Sequence, residues 1–200
     1  MKLLGNQFKK SKPVILIPYQ QRWSKEFLEI AQTLRSVLGS EALRIDHIGS
    51  TSIEQMPAKD IIDVQITISS IDNAEQFNKL MLSAGYRQRG EIRFDSVVGV
   101  DEHELRKLYY REKEGNRRVH MHVREQGSLN QKYPLLFRDY LRENESTRSC
   151  YALLKYRMAE IFPEQIDGYL YIKDPVMDII FEGAKSWARQ VDWLQDKQYL

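Results

Sequence analysis

Two neighbouring stretches, Asp46-His47-Ile48-Gly49-Ser50-Thr51-Ser52 and Lys59-Asp60-Ile61-Ile62-Asp63-Val64-Gln65, bring together residue types that could handle a phosphate chain. Glycine lets a backbone approach phosphate oxygens closely and adjacent hydroxyls add donors, so Gly49, Ser50, Thr51 and Ser52 are candidates for gripping a triphosphate. Hard divalent cations take oxygen ligands and can bridge a carboxylate to a substrate phosphate. Asp63 is placed for that task, Asp60 could support it, and Lys59 could add a point charge. Such a set suits transfer of a nucleotidyl group, in which a triphosphate is held, its charge neutralised and a hydroxyl lined up against the leaving pyrophosphate.

A second group appears when strands are read by parity, because successive side chains point to opposite faces. Over Ile61–Ile68 the residues Ile62, Val64, Ile66 and Ile68 make an apolar core face, and Asp63, Gln65 and Thr67 face a polar cleft or solvent. Over 117–124, Val119, Met121 and Val123 form the core face while Arg118, His120, His122 and Arg124 share the other. His120 and His122 then stand about 7 Å apart along the strand, a spacing that suits joint contact with a metal or phosphate. Taken alone, Arg118 and Arg124 read as solvated charges. Imidazole ligands would shift preference from Mg²⁺ toward Mn²⁺ or Zn²⁺.

These residues need elements to carry them. Trp23, Phe27, Ile30, Leu34 and Val37 recur at helical spacing and predict an amphipathic helix from about Gln20 to Leu38, stopped at Gly39, with Tyr19 and Trp23 in the core. Val14–Ile17 predicts a short extended segment ended by Pro18, and Leu43–Ile48 a strand that runs into the Gly-Ser turn. Asp72 and Glu75 suggest a cap for a helix through Ala84, with Gly85 as its stop. An irregular loop is expected over 86–104, then a hairpin from 105–111 and 117–124. Helices follow over Tyr133–Leu141 and Thr147–Ile161, and Asp174-Pro175 reads as the opening of a last one. This order predicts an α+β fold with a mixed sheet flanked by helices and a helical C-terminal part.

The chain has 200 residues, 42% of them hydrophobic, enough for a core. The expected organisation is a flexible arm over 1–12 and a single domain over 13–200. With 30 basic against 28 acidic residues the formal charge is +2, which provides no field for gripping nucleic acid nonspecifically, so any anion site is local. No stretch approaches the ~20 apolar residues of a membrane span, and nothing resembles a signal-peptide core, so a cytoplasmic protein without membrane partners is expected. Cys150, the sole cysteine, is expected as a buried or half-buried helix residue.

The combined motifs resemble the GrpB family: His47-Ile48-Gly49-Ser50-Thr51-Ser52, Ala58-Lys59, Ile61-Ile62-Asp63, His120-Met121-His122-Val123 and Leu135-Leu136-Phe137-Arg138-Asp139-Tyr140-Leu141, over about Val14 to Trp187. The resemblance implies a nucleotidyltransferase fold, in the superfamily that includes DNA polymerase beta and the aminoglycoside nucleotidyltransferases. It also implies a metal-dependent transferase that takes a nucleoside triphosphate, with Mg²⁺ or Mn²⁺. Family members also occur fused after dephospho-coenzyme A kinase. Enzymes of the superfamily carry an acid, an apolar residue and a second acid after the turn, and a third acid on a later strand. Here Gly49, Ser50 and Asp63 match, Gln65 stands at the second acid, and His120 and His122 occupy the third strand. Glu54-Gln55 stands where many relatives have Pro-Gly, and Asp60 where many have proline. An amide supplies no charge to a second metal, so Asp60 or the histidines compensate, or transfer is lost. The alternative is therefore a noncatalytic module for a nucleotide or other phosphorylated small molecule, with a link to coenzyme A metabolism. His47, Arg118, Arg124 and Arg138 are supporting candidates, Arg138 with Asp139 pinning a helix to the sheet.

Overall fold

The computed structural model describes residues 8–195. Helix α1 (Arg22–Leu38) is followed by strand β1 (Arg44–Ile48), a short 3-10 turn (Ser50–Ser52) and strand β2 (Ile62–Ile68). Helix α2 (Glu75–Ser83), strands β3 (Arg87–Gln88), β4 (Leu108–Arg111) and β5 (Val119–Glu125), and helices α3 (Leu129–Glu143), α4 (Glu145–Ile161) and α5 (Ile166–Gln190) complete the order. The sheet runs β1-β2-β5-β4-β3. Only β2 and β5 are parallel neighbours; β1, β4 and β3 each pair antiparallel, so the expected mixed α+β sheet is present.

The parity of β2 decides the layering. Ile62, Val64, Ile66 and Ile68 pack with Val119, Met121 and Val123 against Trp23, Leu34, Phe77 and Met81, so α1 and α2 cover that face. Of the two expectations for the opposite face, a polar cleft or solvent, open solvent is excluded at Gln65 and Thr67, which are fully buried, with Gln65 Nε2 donating to the Gln131 carbonyl of α3, while Asp63 stays partly exposed. A polar sheet face closed by a helix must satisfy its groups internally, which explains the dense hydrogen bonding described below. A second core joins Ile53 and Met56, just beyond the Gly-Ser turn, to Tyr133, Phe137, Tyr151 and Phe181 of the C-terminal helices.

Several expectations are corrected. Asp72 caps nothing; its carboxylate pairs with Arg106 at 2.6 Å, and Ala74 occupies the cap of α2 without a side-chain bond. The 86–104 segment is partly ordered by β3, a bridge between Phe94 and Arg106 and a 3-10 turn over Glu102–Leu105. Asp174-Pro175 does not open the last helix, which begins at Ile166 and carries Pro175 inside it. Burial of Tyr169 before the proline and of Phe181 and Ala184 after it offsets the proline's cost, and the helix runs unbroken through it. Cys150 lies on α4 but is exposed. Within the expected N-terminal arm, residues 1–7 lie outside the described residues, whereas Phe8 packs edge-on against Phe162 and Ser11 N donates to the Glu164 carbonyl.

Candidate functional site

The Gly-Ser turn is built around one close approach. Gly49 has φ 70°, and a Cβ there would run into the Asp63 carboxyl group, 2.9 Å from its Cβ and Cγ. Glycine is required twice at this position, for the left-handed backbone and for the space. Ser52 Oγ donates to the Gly49 carbonyl at 2.6 Å, and Thr51 Oγ1 lies 3.0 Å from His47 Nε2, so these two buried hydroxyls lock the turn from inside. Of the expected phosphate-gripping hydroxyls, Ser50 alone remains partly exposed.

Asp63 stands opposite His120 in the parallel β2–β5 register, and Gln65 opposite His122. His120 Nδ1 lies 3.3 Å and His122 Nε2 4.0 Å from Asp63 Oδ1. One nitrogen from each ring and one Asp63 oxygen lie within 4.8 Å of one another. Ligand atoms around a first-row metal with bonds of about 2.0–2.2 Å are roughly 3–4 Å apart, so this oxygen and two nitrogens fit such an ion with modest closure. Burial opposes the charge on Asp63, yet the His120 hydrogen bond and the Lys59 charge outweigh it and draw its pKa down to about 2. Tyr109 backs both rings edge-on, its centroid 5.6 Å from His120 and 5.1 Å from His122.

The other sequence candidates separate into neighbours of this centre and structural groups. Lys59 is half-buried within electrostatic reach of Asp63, and burial lowers its pKa. Arg118 is exposed and also acts on Lys59. Asp60 is not available as a ligand, because it accepts from Trp23 Nε1 and Arg22 Nη2 at 2.8 Å and from Arg117 Nη2 at 2.5 Å. His47 points to the α1 side, stacked on Phe27 at 4.6 Å, and burial lowers its pKa to about 3. Arg138 is buried and donates to the His47 carbonyl at 3.0 Å and to Asp139 at 2.7 Å, pinning α3 to β1.

Arg124 is not solvated. It is 5% exposed and donates to Asp95 Oδ2 at 2.8 Å, Asp95 Oδ1 at 3.1 Å and Gln65 Oε1 at 2.8 Å. Both ends of the Gln65 amide are thus engaged, its oxygen by Arg124 and its nitrogen by Gln131. Lys107 Nζ and Asn130 Nδ2 also bind Asp95, at 2.5 and 3.0 Å.

Sequence reasoning missed Lys155. It lies on α4, 2% exposed, and its Nζ donates to Ser50 Oγ at 2.7 Å and to the Pro57 carbonyl. Burial and the nearby ammonium groups of Lys173 and Lys59 push its pKa well down. An ammonium that donates to a hydroxyl oxygen leaves the Ser50 hydrogen free for another acceptor. No local spacing announces this lysine; only the packing of α4 against the turn brings it in.

A family model described as GrpB protein matches residues 13–182. The UPF0157 protein YqkA of Bacillus subtilis is 38% identical over 88% of this chain and 48% of its own length. Dephospho-CoA kinase of Mycobacterium tuberculosis is 31% identical over 90% of this chain and 48% of its own. The chain therefore spans about half the length of these curated relatives. Among solved structures, the conserved protein GrpB from Enterococcus faecalis superimposes with TM-score 0.71 at 32% identity, covering 86% of this chain and 99% of that one. The Cid1 poly(U) polymerase bound to MgGTP aligns with TM-score 0.50 at 16% identity over 72% of this chain and 44% of its own, a likeness of fold alone. The sheet is accordingly nucleotidyltransferase-like, and the chain belongs to the GrpB family.

Proposed function

We propose that this protein is a metal-dependent nucleotidyltransferase that moves a nucleotidyl group from a nucleoside triphosphate to a small-molecule or protein acceptor. The supporting observation is convergence: Gly49 presses on Asp63, both imidazoles face Asp63 from β5, and Ser50 accepts from Lys155, whose amino group is within electrostatic reach of Asp63. Asp63 would hold a Mg²⁺ or Mn²⁺ ion, with His120 and His122 engaging either that ion or phosphate. When bound, the ion neutralises charge on the phosphates. The protein supplies the remaining electrostatics through the Ser50 hydroxyl and the amino groups of Lys155, Lys59 and Lys173, the last of which also pairs with Asp174 at 3.6 Å. Fixed cations and donors of this kind favour the charge that builds on a leaving pyrophosphate.

A second reading has its own observation. Gln65 is fully buried with both amide ends engaged, so it offers a second metal neither charge nor a free oxygen. On that reading the pocket binds a nucleotide or other phosphorylated ligand without transferring it. Relatives named dephospho-CoA kinase make coenzyme A metabolites sensible probes. Calorimetry with nucleoside triphosphates and Mn²⁺, paired with pyrophosphate release over a panel of acceptors, separates the readings. Binding with release that Asp63→Ala abolishes supports transfer, and binding without release supports the module. Full turnover by Asp63→Ala would dispose of the assignment.

A further inference from the structure

We infer that Arg124 holds His122 in the form protonated at Nε2, so that His122 is a hydrogen-bond donor to a phosphate oxygen of the ligand and the metal falls to Asp63 and His120. The inference rests on the phosphate-ligand reading above and divides labour between two imidazoles that the sequence treats as equivalent.

The argument starts with what a guanidinium cannot do. It has five N–H donors and no acceptor, and it keeps its proton. Arg124 cannot swing away, because three of its hydrogen bonds are fixed by Asp95 and Gln65. Its Nη2 lies 3.4 Å from His122 Nδ1. A ring nitrogen facing an immobile donor at that distance presents its lone pair, which leaves the proton of the neutral ring on Nε2.

Metal ligation by His122 would need the reverse arrangement. The lone pair would have to sit on Nε2 and the N–H on Nδ1, where it would meet an N–H of Arg124. Metal-bound histidines ordinarily give their second N–H to a carboxylate, a carbonyl or water, and Arg124 is none of these. Among the described residues no guanidinium faces a ring nitrogen of His120, and its Nδ1 lies nearer Asp63, at 3.3 Å against 4.0 Å for His122; ligation through that Nδ1 leaves the buried, unpartnered Nε2 to carry the N–H, a smaller cost than turning an N–H against a guanidinium. The longer separation exceeds a hydrogen bond, so the His122 Nε2–H is not consumed by Asp63 and can face a ligand oxygen. Tyr109, edge-on to the ring at 5.1 Å, keeps it from turning. Arg124 thus acts through His122 as a positioning residue, and Gln65, at the place of an expected acid, acts through Arg124.

The test is long-range ¹H–¹⁵N correlation of the histidine rings in the whole protein, with His122 assigned from the His122→Gln spectrum. The expected result is an unprotonated Nδ1 and a protonated Nε2 on His122, with Zn²⁺ shifting the His120 nitrogens and not protonating Nδ1 of His122. His122→Gln, which retains an N–H near the Nε2 position, is expected to keep Zn²⁺ affinity within about threefold, whereas His120→Ala loses it. His122→Leu is expected to keep Zn²⁺ and to weaken ATP binding about ten- to a hundredfold, the value of one hydrogen bond to a charged group. In the charge-balanced Asp95→Asn, Arg124→Met double variant the tautomer should become mixed. A His122 protonated at Nδ1 in the wild type, or Zn²⁺ loss in His122→Gln as large as in His120→Ala, overturns the inference. Failure of the wild type to bind ATP overturns the phosphate-ligand reading instead, since tautomer and metal partition are measured without ATP.

Discussion

At the scale of single residues, the site depends on Gly49 more than on any hydroxyl of the turn. Alanine there would meet two penalties together, a left-handed backbone costing about 1–2 kcal/mol and a methyl group driven into the Asp63 carboxyl. Asp63 is the side chain that must move, so Gly49→Ala is expected to lose about 2 kcal/mol or more in urea denaturation and to weaken Mn²⁺ binding in the same preparation. Wild-type stability together with wild-type metal affinity would show that the approach of Gly49 to Asp63 is not a constraint. The sequence made this pair legible because a glycine after a strand and an acid on the next strand are local signals. It misplaced His47, whose neighbours in sequence are site residues while its side chain, one position out of phase along β1, stacks on Phe27 behind the sheet. It also misjudged Arg124, since parity tells which face a charge occupies but not whether a helix covers that face.

At the scale of elements, α4 and α5 carry what periodicity could not tell. Lys155 looks like any lysine of an amphipathic helix until α4 is packed against residues 50–57, where its ammonium reaches Ser50 and Pro57. Lys155→Met fills a similar volume without the charge, and it is expected to weaken ATP binding about tenfold or more, the scale of one charge-assisted hydrogen bond. Calorimetry reads this directly, and unchanged affinity would leave Lys155 as a structural prop. Helix α5 raises a different question, because a proline in a helix interior removes one hydrogen bond and crowds the preceding turn, at about 3 kcal/mol. Against this, proline restricts the unfolded chain, which offsets about 0.4–1 kcal/mol. The first effect is larger, so Pro175→Ala is expected to raise stability by about 2–2.6 kcal/mol, visible as a higher melting temperature. A lower one would mean that the proline ring contributes packing or rigidity that alanine cannot replace at Asp174-Pro175, the dipeptide that made the sequence suggest a start there.

At the scale of the whole molecule, the polar groups enclosed between the sheet and its helices set the response to acid. The buried His47 has a folded pKa of about 3 against 6.5 for the free group, so between those values the unfolded chain binds a proton that the folded chain refuses. Stability contributed in this way is complete above about 6.5 and falls as pH drops toward 3. His122, also drawn well below 6.5 by burial and by the charges of Arg124 and Lys107, acts with the same sign. The carboxylates follow at lower pH. Asp63 and Glu112, each held near 2 against 3.8 and 4.5, stabilise fully above those ordinary values and lose the contribution as pH falls through about 2. Asp95, held far down by Arg124 and Lys107 despite its burial, adds to this lower limb. Two stages are therefore expected in urea midpoints: a decline beginning near pH 6.5 that belongs to the imidazoles, and a steeper one below about pH 4.5 that belongs to the carboxylates. His47 alone should account for about 2 kcal/mol between pH 6.5 and 5. His47→Gln, with an amide in place of the imidazole opposite Thr51, is expected to reduce the first stage by about half and leave the second in place. An undiminished decline between pH 6.5 and 5 in that variant would mean that His47 takes up its proton without unfolding the turn, and that the back of the sheet is less tightly closed than the packing of Phe27 and Arg138 around it requires.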